Sequence, residues 1–396
     1  MNRIDTLLAT LCPEGVDFTP IGEFGQLVRG NGMPKSDFAE TGVGCIHYGQ
    51  IYTFYGAWAT ETKSFIPAEK AARLAKVDPG DLIITNTSEN LDDVCKAVAW
   101  LGDSQIVTGG HATVLKHGQD AKYLSYYLQT PQFFAEKKRH ATGTKVIDVS
   151  AKSLAKIRIP LPPLKIQQEV VAILDQFTKL EAELEAELEA RRAQYRHYRD
   201  TLLSFSGQTD SQESKQATRI LTLGDVFKMR AGQHIPAHNI ENDRNGSHLF
   251  PCFGGNGVRG FVQHHSHNGS FLLIGRQGAL CGNIQRASGK FYATEHAVVA
   301  KPNDGIDVDW AFHMLTQMNL NQYASKSAQP GLAVGKLASV EICVPPLDEQ
   351  KRIASVLDKF DMLVNDLSDG LPAEIKARRQ QYEYYRDQLL TFKQAA

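Results

Sequence analysis

The feature that most restricts this chain is a long helical segment that occurs twice. Residues 161–177 read LPPLKIQQEVVAILDQF, and residues 344–360 read VPPLDEQKRIASVLDKF. Leu154 and Leu337 extend the match backwards at the same offset of 183. Further on, ARRAQYRHYRDTLLSF (190–205) matches ARRQQYEYYRDQLLTF (377–392) at an offset of 187, so the second copy has four more residues between its matched blocks. Weaker matches open each half, PIGE at 20–23 and TLGD at 222–225. Others fall mid-domain, TGGHATV at 108–114 and TEHAVV at 294–299. Such self-similarity points to a duplicated plan: variable domain, repeated helix, variable domain, repeated helix.

The repeated segments have helical spacing. Phe177, Leu180, Leu184, Leu188, Tyr195 and Leu202 form the stripe in the first copy, and Phe360, Leu367, Ile375, Tyr382 and Leu389 in the second. Prolines 162–163 and 345–346 stand where a helix start tolerates them. A helix of about 40 residues would be about 60 Å long and cannot hide such a stripe alone. Two of them predict an antiparallel intramolecular coiled coil with pseudo-twofold character. The stretch LEAELEAELEA (180–190) places leucine every four residues, a stutter against the heptad. Its plain reading is a packing helix with a solvated glutamate face. Its sharper reading is a ruler, in which one LEAE unit shifts the flanking parts by about 6 Å. The second copy has Ser368-Asp369-Gly370-Leu371-Pro372 at this place, which predicts a kink or break.

The remaining sequence is rich in glycine, aromatics and short β-like runs such as DLIIT (81–85), SFLLIG (270–275), HAVVA (296–300) and VEICV (340–344). Helical pieces intervene, AKYLSYYLQT (121–130) and DWAFHMLTQM (309–318). The expected class is mixed α/β (α+β), with two globular domains separated by the long helices. The expected partition is a first domain at 1–160, a first helix at 161–206, a linker at 207–217, a second domain at 218–344 and a second helix at 345–393.

Charge and chemistry narrow the function. The net charge of −1 excludes a chain that is basic throughout. Residues 218–344 nevertheless hold eleven Lys and Arg against eight Asp and Glu, and eight of the thirteen histidines. Cysteines at 12, 45, 95, 252, 281 and 343 form no C-x-x-C pair, so neither a zinc ribbon nor a disulfide framework is expected, and a reducing cytoplasm fits. No run approaches 18 apolar residues and no signal-peptide plan opens the sequence, so no membrane partner is expected. GLAVGKL (331–337) falls short of a P-loop, and neither a G-x-G-x-x-G strand–helix turn nor a G-x-S-x-G elbow is present. No catalytic residues are assigned and no metal site is expected. HHSH (264–267) with His248 is the nearest approach to one, but neighbouring strand residues point to opposite faces. His111 and His296, which recur in the two halves, are expected to be buried and hydrogen-bonded, with base contact as the alternative.

Glycine-punctuated polar stretches are the candidate contacts: GNGMPKSD (30–37), ATGTK (141–145), GGNGVRG (254–260) and GRQGALCGN (275–283). Each alone could be a hairpin turn. Together they favour nucleic acid, because glycine lets backbone approach a polyanion and Arg, Gln, Asn and Lys reach phosphates or base edges. The expected contacts are Lys35, Tyr52, Lys63, Asn86 and Lys145 in the first domain. In the second they are Arg230, Asn256, Arg259, Arg276, Gln277 and Lys326. Arg276 and Gln277 are the sharpest, since a glycine-flanked Arg-Gln pair matches guanine and adenine edges. Arg191, Arg192, Arg378 and Arg379 are expected to meet protein partners; the tyrosines near them can equally pack the coil.

The two helical repeats, with CPEGVDFTPIGEF near the start, resemble the specificity (S) subunits of type I restriction–modification systems. The LEAE tandem is similar to the short central repeat of one branch of that family. The resemblance covers the whole chain, tight in the helices and loose in the variable domains. It implies that each domain is a target recognition domain reading one half of a bipartite double-stranded DNA site, with the helices setting the unread spacer. It also implies that chemistry lies in partners: two methyltransferase (M) subunits that use S-adenosylmethionine on a flipped adenine, and motor–nuclease (R) subunits that use ATP and Mg. This chain would then carry no cofactor of its own. The alternatives are a coiled-coil scaffold without DNA contact and a stand-alone methyltransferase.

Overall fold

A computed structural model describes residues 3–204, 218–278, 280–325 and 330–395. Two compact units result. One comprises Met1–Glu183 with Ile375–Ala396, and the other comprises Leu184–Glu374.

In the first unit a five-stranded sheet runs in the order Gly25–Arg29, Ala112–His117, Leu82–Thr85, Ala97–Trp100, Trp58–Ala59. The first three junctions are antiparallel and the last is parallel. The second unit repeats that plan with Phe227–Ala231, Ala297–Pro302, Phe271–Gly275 and Ile284–Ala287, all antiparallel. A second, four-stranded sheet accompanies each. The central strands LIIT and FLLIG are buried at every position. Continuous apolar runs, rather than alternation, are what strands covered on both faces require.

The first repeated helix is unbroken over Leu164–Leu202, 39 residues or about 58 Å. The second is in two pieces, Leu347–Asn365 and Leu371–Leu389. The chain turns between them, where Asp366 Oδ1 accepts the N–H groups of Ser368 and Asp369 at 2.7 and 3.2 Å. Leu367 lies in this turn and is 80% exposed, so its expected place in the coiled-coil interface is corrected: the helix has already ended and its stripe does not continue. Leu202 and Leu389 are likewise only half-buried, while Leu203 and Leu390, just past the helix ends, are buried at 2% and 1%. Both still donate their N–H to the residue four back, Arg199 and Arg386, at 3.0 Å, so the helical step carries the buried face to them. Of the tandem leucines Leu188 is buried, Leu184 half-buried and Leu180 36% exposed.

Each unit contains an antiparallel helix pair made from both repeats. In the first unit Phe177 stacks on Tyr385 at 5.4 Å and Glu181 pairs with Arg379, so numbers rise along one helix as they fall along the other. In the second unit the counterpart rings, Phe360 and Tyr198, stack at 5.2 Å, and Tyr195 lies 6.3 Å from Phe360. Arg386 over Tyr382 in one unit and Arg199 over Tyr195 in the other are both at 5.6 Å. Ile375 is buried in the first unit.

Duplicated polar residues fasten each helix start to its sheet domain. Gln167 and Gln350 are both fully buried. Gln350 Oε1 accepts the Asp307 N–H at 2.8 Å, and its amide donates to the carbonyls of Pro345 and Gly305 at 2.8 and 3.1 Å. Gln167 does the same with the Asp120 N–H, the Pro162 carbonyl and Gln119 Oε1 at 3.0, 2.7 and 2.8 Å. Asp120 and Asp307 each cap a helix, Ala121–Tyr127 and Val308–Gln317. Two turns further, Asp175 takes the Tyr126 hydroxyl and the Lys122 ammonium, at 2.7 and 2.6 Å. Its counterpart Asp358 takes Arg286 and, at 2.8 Å, His313 Nε2. Ile166, Val170 and Leu174 continue the apolar core of the first sheet domain, as does Leu390. The segment around Leu390 is tied there as well: the Val16 N–H donates to the Lys393 carbonyl at 2.8 Å and Gln132 donates to Thr391 Oγ1 at 2.6 Å.

Candidate nucleic-acid interface

The candidate contacts gather where the central strand of each unit leaves its sheet. In the second unit Arg276 and Gln277 follow the strand Phe271–Gly275. The Arg276 N–H donates to the His296 carbonyl at 2.8 Å, and His296 stands just before the strand Ala297–Pro302. The His296 ring Nδ1 lies 2.9 Å from Gln277 Oε1. A hairpin of Phe250–Gly254 and Gly257–Val262 turns at Gly255-Asn256 beside it. Asn256, Arg259, Gln277 and His296 line one cavity of about 430 Å³. The Asn283 amide donates to Asn256 Oδ1 and holds it in place. The sequence-predicted Asn256, Arg259 and Gln277 are therefore brought together. Arg276 adjoins them, half-buried, with its carbonyl accepting the Leu332 N–H at 2.9 Å.

The first unit is built in the same way. Asn86 and Thr87 follow the strand Leu82–Thr85, and the Asn86 N–H donates to the His111 carbonyl at 2.8 Å. His111 precedes the strand Ala112–His117, and its Nδ1 lies 2.9 Å from Thr87 Oγ1. The Tyr48 ring lies 5.0 Å from the His111 ring, and the Tyr52 hydroxyl donates to the Thr87 carbonyl at 2.6 Å. His47, whose ring lies tilted against Tyr48 at 4.4 Å, has its pKa lowered by burial first and then by the charges of Lys35 and His111. Burial pushes Tyr52 up to about 12. Lys35 and Tyr52 thus belong to one cluster of rings and basic groups.

Glycine is required at one matched position beneath each cluster. A side chain on Gly30 would sit 1.9 Å from the Gly109 carbonyl, and one on Gly232 would sit 2.3 Å from the Thr294 carbonyl. These contacts press each edge strand against the loop that carries His111 or His296, through the bridges Asn31–Gly109 and Gln233–Thr294.

The other expected contacts fall elsewhere. Lys63 is exposed, with its ammonium 4.3 Å from the centre of the Phe54 ring. Lys145 is exposed in a loop closed by the Thr142–Asp148 bridge. Arg230 is exposed on the edge strand Phe227–Ala231. Lys326 lies outside the described residues. Asn86 is corrected: it is 1% exposed, its amide donates to the Val149 carbonyl at 2.8 Å, and its Oδ1 accepts from Thr113 at 2.8 Å. A side chain so spent holds the strand exit together and does not reach a ligand. The recurring histidines are hydrogen-bonded as expected, but their expected burial is corrected. His111 is exposed and the His296 side chain is 40% exposed, because both stand on the loop before a strand and not within it. In HHSH, His267 stacks on Phe291 at 5.3 Å while His265 lies against Phe250 at 5.0 Å.

The arginines expected to meet partners are held along the helices. Arg191 bonds Glu187 and Gln194 at 2.7 and 2.8 Å, and Arg192 bonds Glu189 at 2.8 Å. Arg378 bonds Gln381 at 3.0 Å, and Arg379 joins the Glu181 pair already described. Among the described residues no helix is long and apolar enough to cross a membrane.

A duplicated mixed-sheet domain, two long helices and glycine-lined polar clusters at equivalent strand ends define a class, and comparison with known proteins agrees. Residues 13–190 and 218–377 match the family described as type I restriction modification DNA specificity domain, and the chain belongs to that family. It is 52% identical over 261 residues to the type I restriction enzyme EcoprrI specificity subunit of Escherichia coli, covering 63% of this chain and 63% of that relative's length. It is 35% identical over 299 residues to the EcoR124I/EcoR124II specificity subunit of Escherichia coli, covering 68% of this chain and 70% of that one. Among solved structures, the type I restriction–modification S subunit from M. genitalium superposes with a TM-score of 0.61 at 14% identity, covering 95% of this chain and 96% of that one. A chain from work on complex assembly and conformational transition of the type I R-M system gives 0.59 at 18% identity, covering 95% and 97%. At these identities the structural likeness is one of fold.

Proposed function

We propose that this chain is the DNA-reading subunit of a type I restriction–modification complex. Each unit reads one half of a bipartite duplex site, and the helix shared by both units fixes the unread spacer. The observation that carries this reading is the duplicated strand-exit cluster, with Lys35, Tyr52, Thr87 and His111 in one unit and Asn256, Arg259, Gln277 and His296 in the other. Such groups contact phosphates and base edges rather than perform chemistry. The chain is accordingly a non-catalytic subunit. Adenine-N6 methylation belongs to two methyltransferase subunits that bind S-adenosylmethionine, and cleavage to motor–nuclease subunits that use ATP and Mg. The docking arginines are Arg191, Arg192, Arg378 and Arg379, and a cytoplasmic location follows from the role.

The test is salt-dependent binding of the assembled complex to duplex DNA. A linear fall of log affinity with log salt is expected, since each neutralised phosphate releases counterions. Binding without a salt slope, or no binding to any bipartite site, overturns the reading.

A further inference from the structure

Two histidines, one in each unit, occupy the same place in the fold. The carbonyls of His111 and His296 accept the N–H of the first residue past the central strand, Asn86 and Arg276, each at 2.8 Å. Their rings are held at Nδ1 by the second residue past it, Thr87 and Gln277, each at 2.9 Å. The histidine is thus repeated while the side chain that orients it differs. Gln277 Oε1 only accepts, so the His296 Nδ1 carries a proton. The Thr87 hydroxyl donates or accepts and leaves the His111 ring free to present either character.

The other ring nitrogen, Nε2, is the informative one. Among the described residues neither His111 nor His296 has a hydrogen-bond partner at Nε2. The nearest charged group recorded for His296 is Glu295, whose Oε1 lies 3.7 Å away and bonds His234 at 2.8 Å instead. Histidines that merely closed the loop would have no reason to stand with this edge outward. His111 also has a φ of +65°, a left-handed conformation uncommon for a residue with a Cβ. Such backbone persists where surrounding structure enforces it, often at sites of recognition. His296 lines the same cavity as Asn256 and Arg259.

From this juxtaposition the structure assigns His111 and His296 one shared role, which rests on the DNA-reading function proposed above. Each is a specificity residue whose Nε2 meets a hydrogen-bonding base edge, and the neighbour at Nδ1 tunes what the ring offers. The repeated imidazole is a common reading element. Thr87 and Gln277 are part of what makes the two half-sites different.

The experiment is methylome sequencing of cells carrying the full chain with its methyltransferase partner, comparing wild type, His296→Ala and His111→Ala. His296→Ala is expected to cut discrimination at one base pair of one half-site about tenfold or more, leaving the other half-site strict. His111→Ala is expected to relax the opposite half-site. If both half-sites keep every letter in both variants, the assignment is overturned while bipartite reading stands. A wild-type methylome without a split motif overturns the underlying function instead. Should His296→Ala abolish methylation altogether, His296→Asn decides. Recovery with a changed letter supports the assignment, and continued loss overturns it.

Discussion

Replacing Gln350 by leucine should loosen the helix Leu347–Asn365 from its sheet domain at a calculable cost. Leucine has nearly the same volume, so the change removes polar atoms and not bulk. Gln350 makes three hydrogen bonds to main-chain groups, the Asp307 N–H at 2.8 Å and the carbonyls of Pro345 and Gly305 at 2.8 and 3.1 Å. The residue is 0% exposed, so no water replaces them. At about 1 kcal/mol net per bond, the loss is about 3 kcal/mol, and more if the orphaned groups stay dry. For a unit of this size that corresponds to a fall of about 6–12 °C in Tm. The assay is thermal and urea unfolding followed by circular dichroism on the full chain, with Gln167→Leu as the matched change in the first unit. Gln350→Glu, which aims a buried carboxylate at the Pro345 and Gly305 carbonyl oxygens, should cost at least as much as leucine. A loss below about 1 kcal/mol in both leucine variants would show that these glutamines do not tie the helices to the domains.

Two other outcomes follow from the same junctions and helices. The His313 ring is fully buried, and its pKa is lowered mainly by burial and further by Arg286, against the opposing bond to Asp358. The unfolded chain therefore binds the proton more readily, so stability of the second unit is complete above about pH 6.5 and declines as pH falls toward the lowered native value. Urea midpoints between pH 8 and 5 measure this, and His313→Gln should flatten the slope. Deleting Leu184–Glu187 removes four helical residues, a shortening of about 6 Å with a rotation of about 40°. It should alter the number of base pairs between half-sites while both half-site sequences stay unchanged, as methylome sequencing would reveal; altered half-sites would refute the ruler.

Periodicity carried far because it is enforced by geometry. Spacing along the repeats marked Phe177, Tyr195, Phe360 and Tyr382, all of which make ring contacts in the structure. The runs DLIIT, SFLLIG and HAVVA became the buried strands Leu82–Thr85, Phe271–Gly275 and Ala297–Pro302. What spacing could not show is where the stripe is interrupted. Leu367 has the right period but falls in a turn set by Asp366. Asn86 was an expected contact, yet two tertiary hydrogen bonds consume it, and sequence alone does not reveal the Val149 and Thr113 partners. Gln167 and Gln350 were open to detection, since the same residue type recurs at an offset of 183. Their meaning depends on Asp120 and Asp307, which no helical pattern connects to them. The pairing of His111 with Thr87 and of His296 with Gln277 was hidden for the same reason, because each joins strands far apart in sequence.

The first unit draws its last pieces, Ile375 onward, from the far side of the second unit in sequence, whereas the second unit is one uninterrupted stretch. During synthesis the second body is therefore complete while the earlier-made one still lacks Leu390 and the Val16 bridge to Lys393. A nonsense change just after codon 374 would injure the region built from residues up to 183, and a nascent chain halted near residue 374 would hold a finished younger half and an unfinished elder.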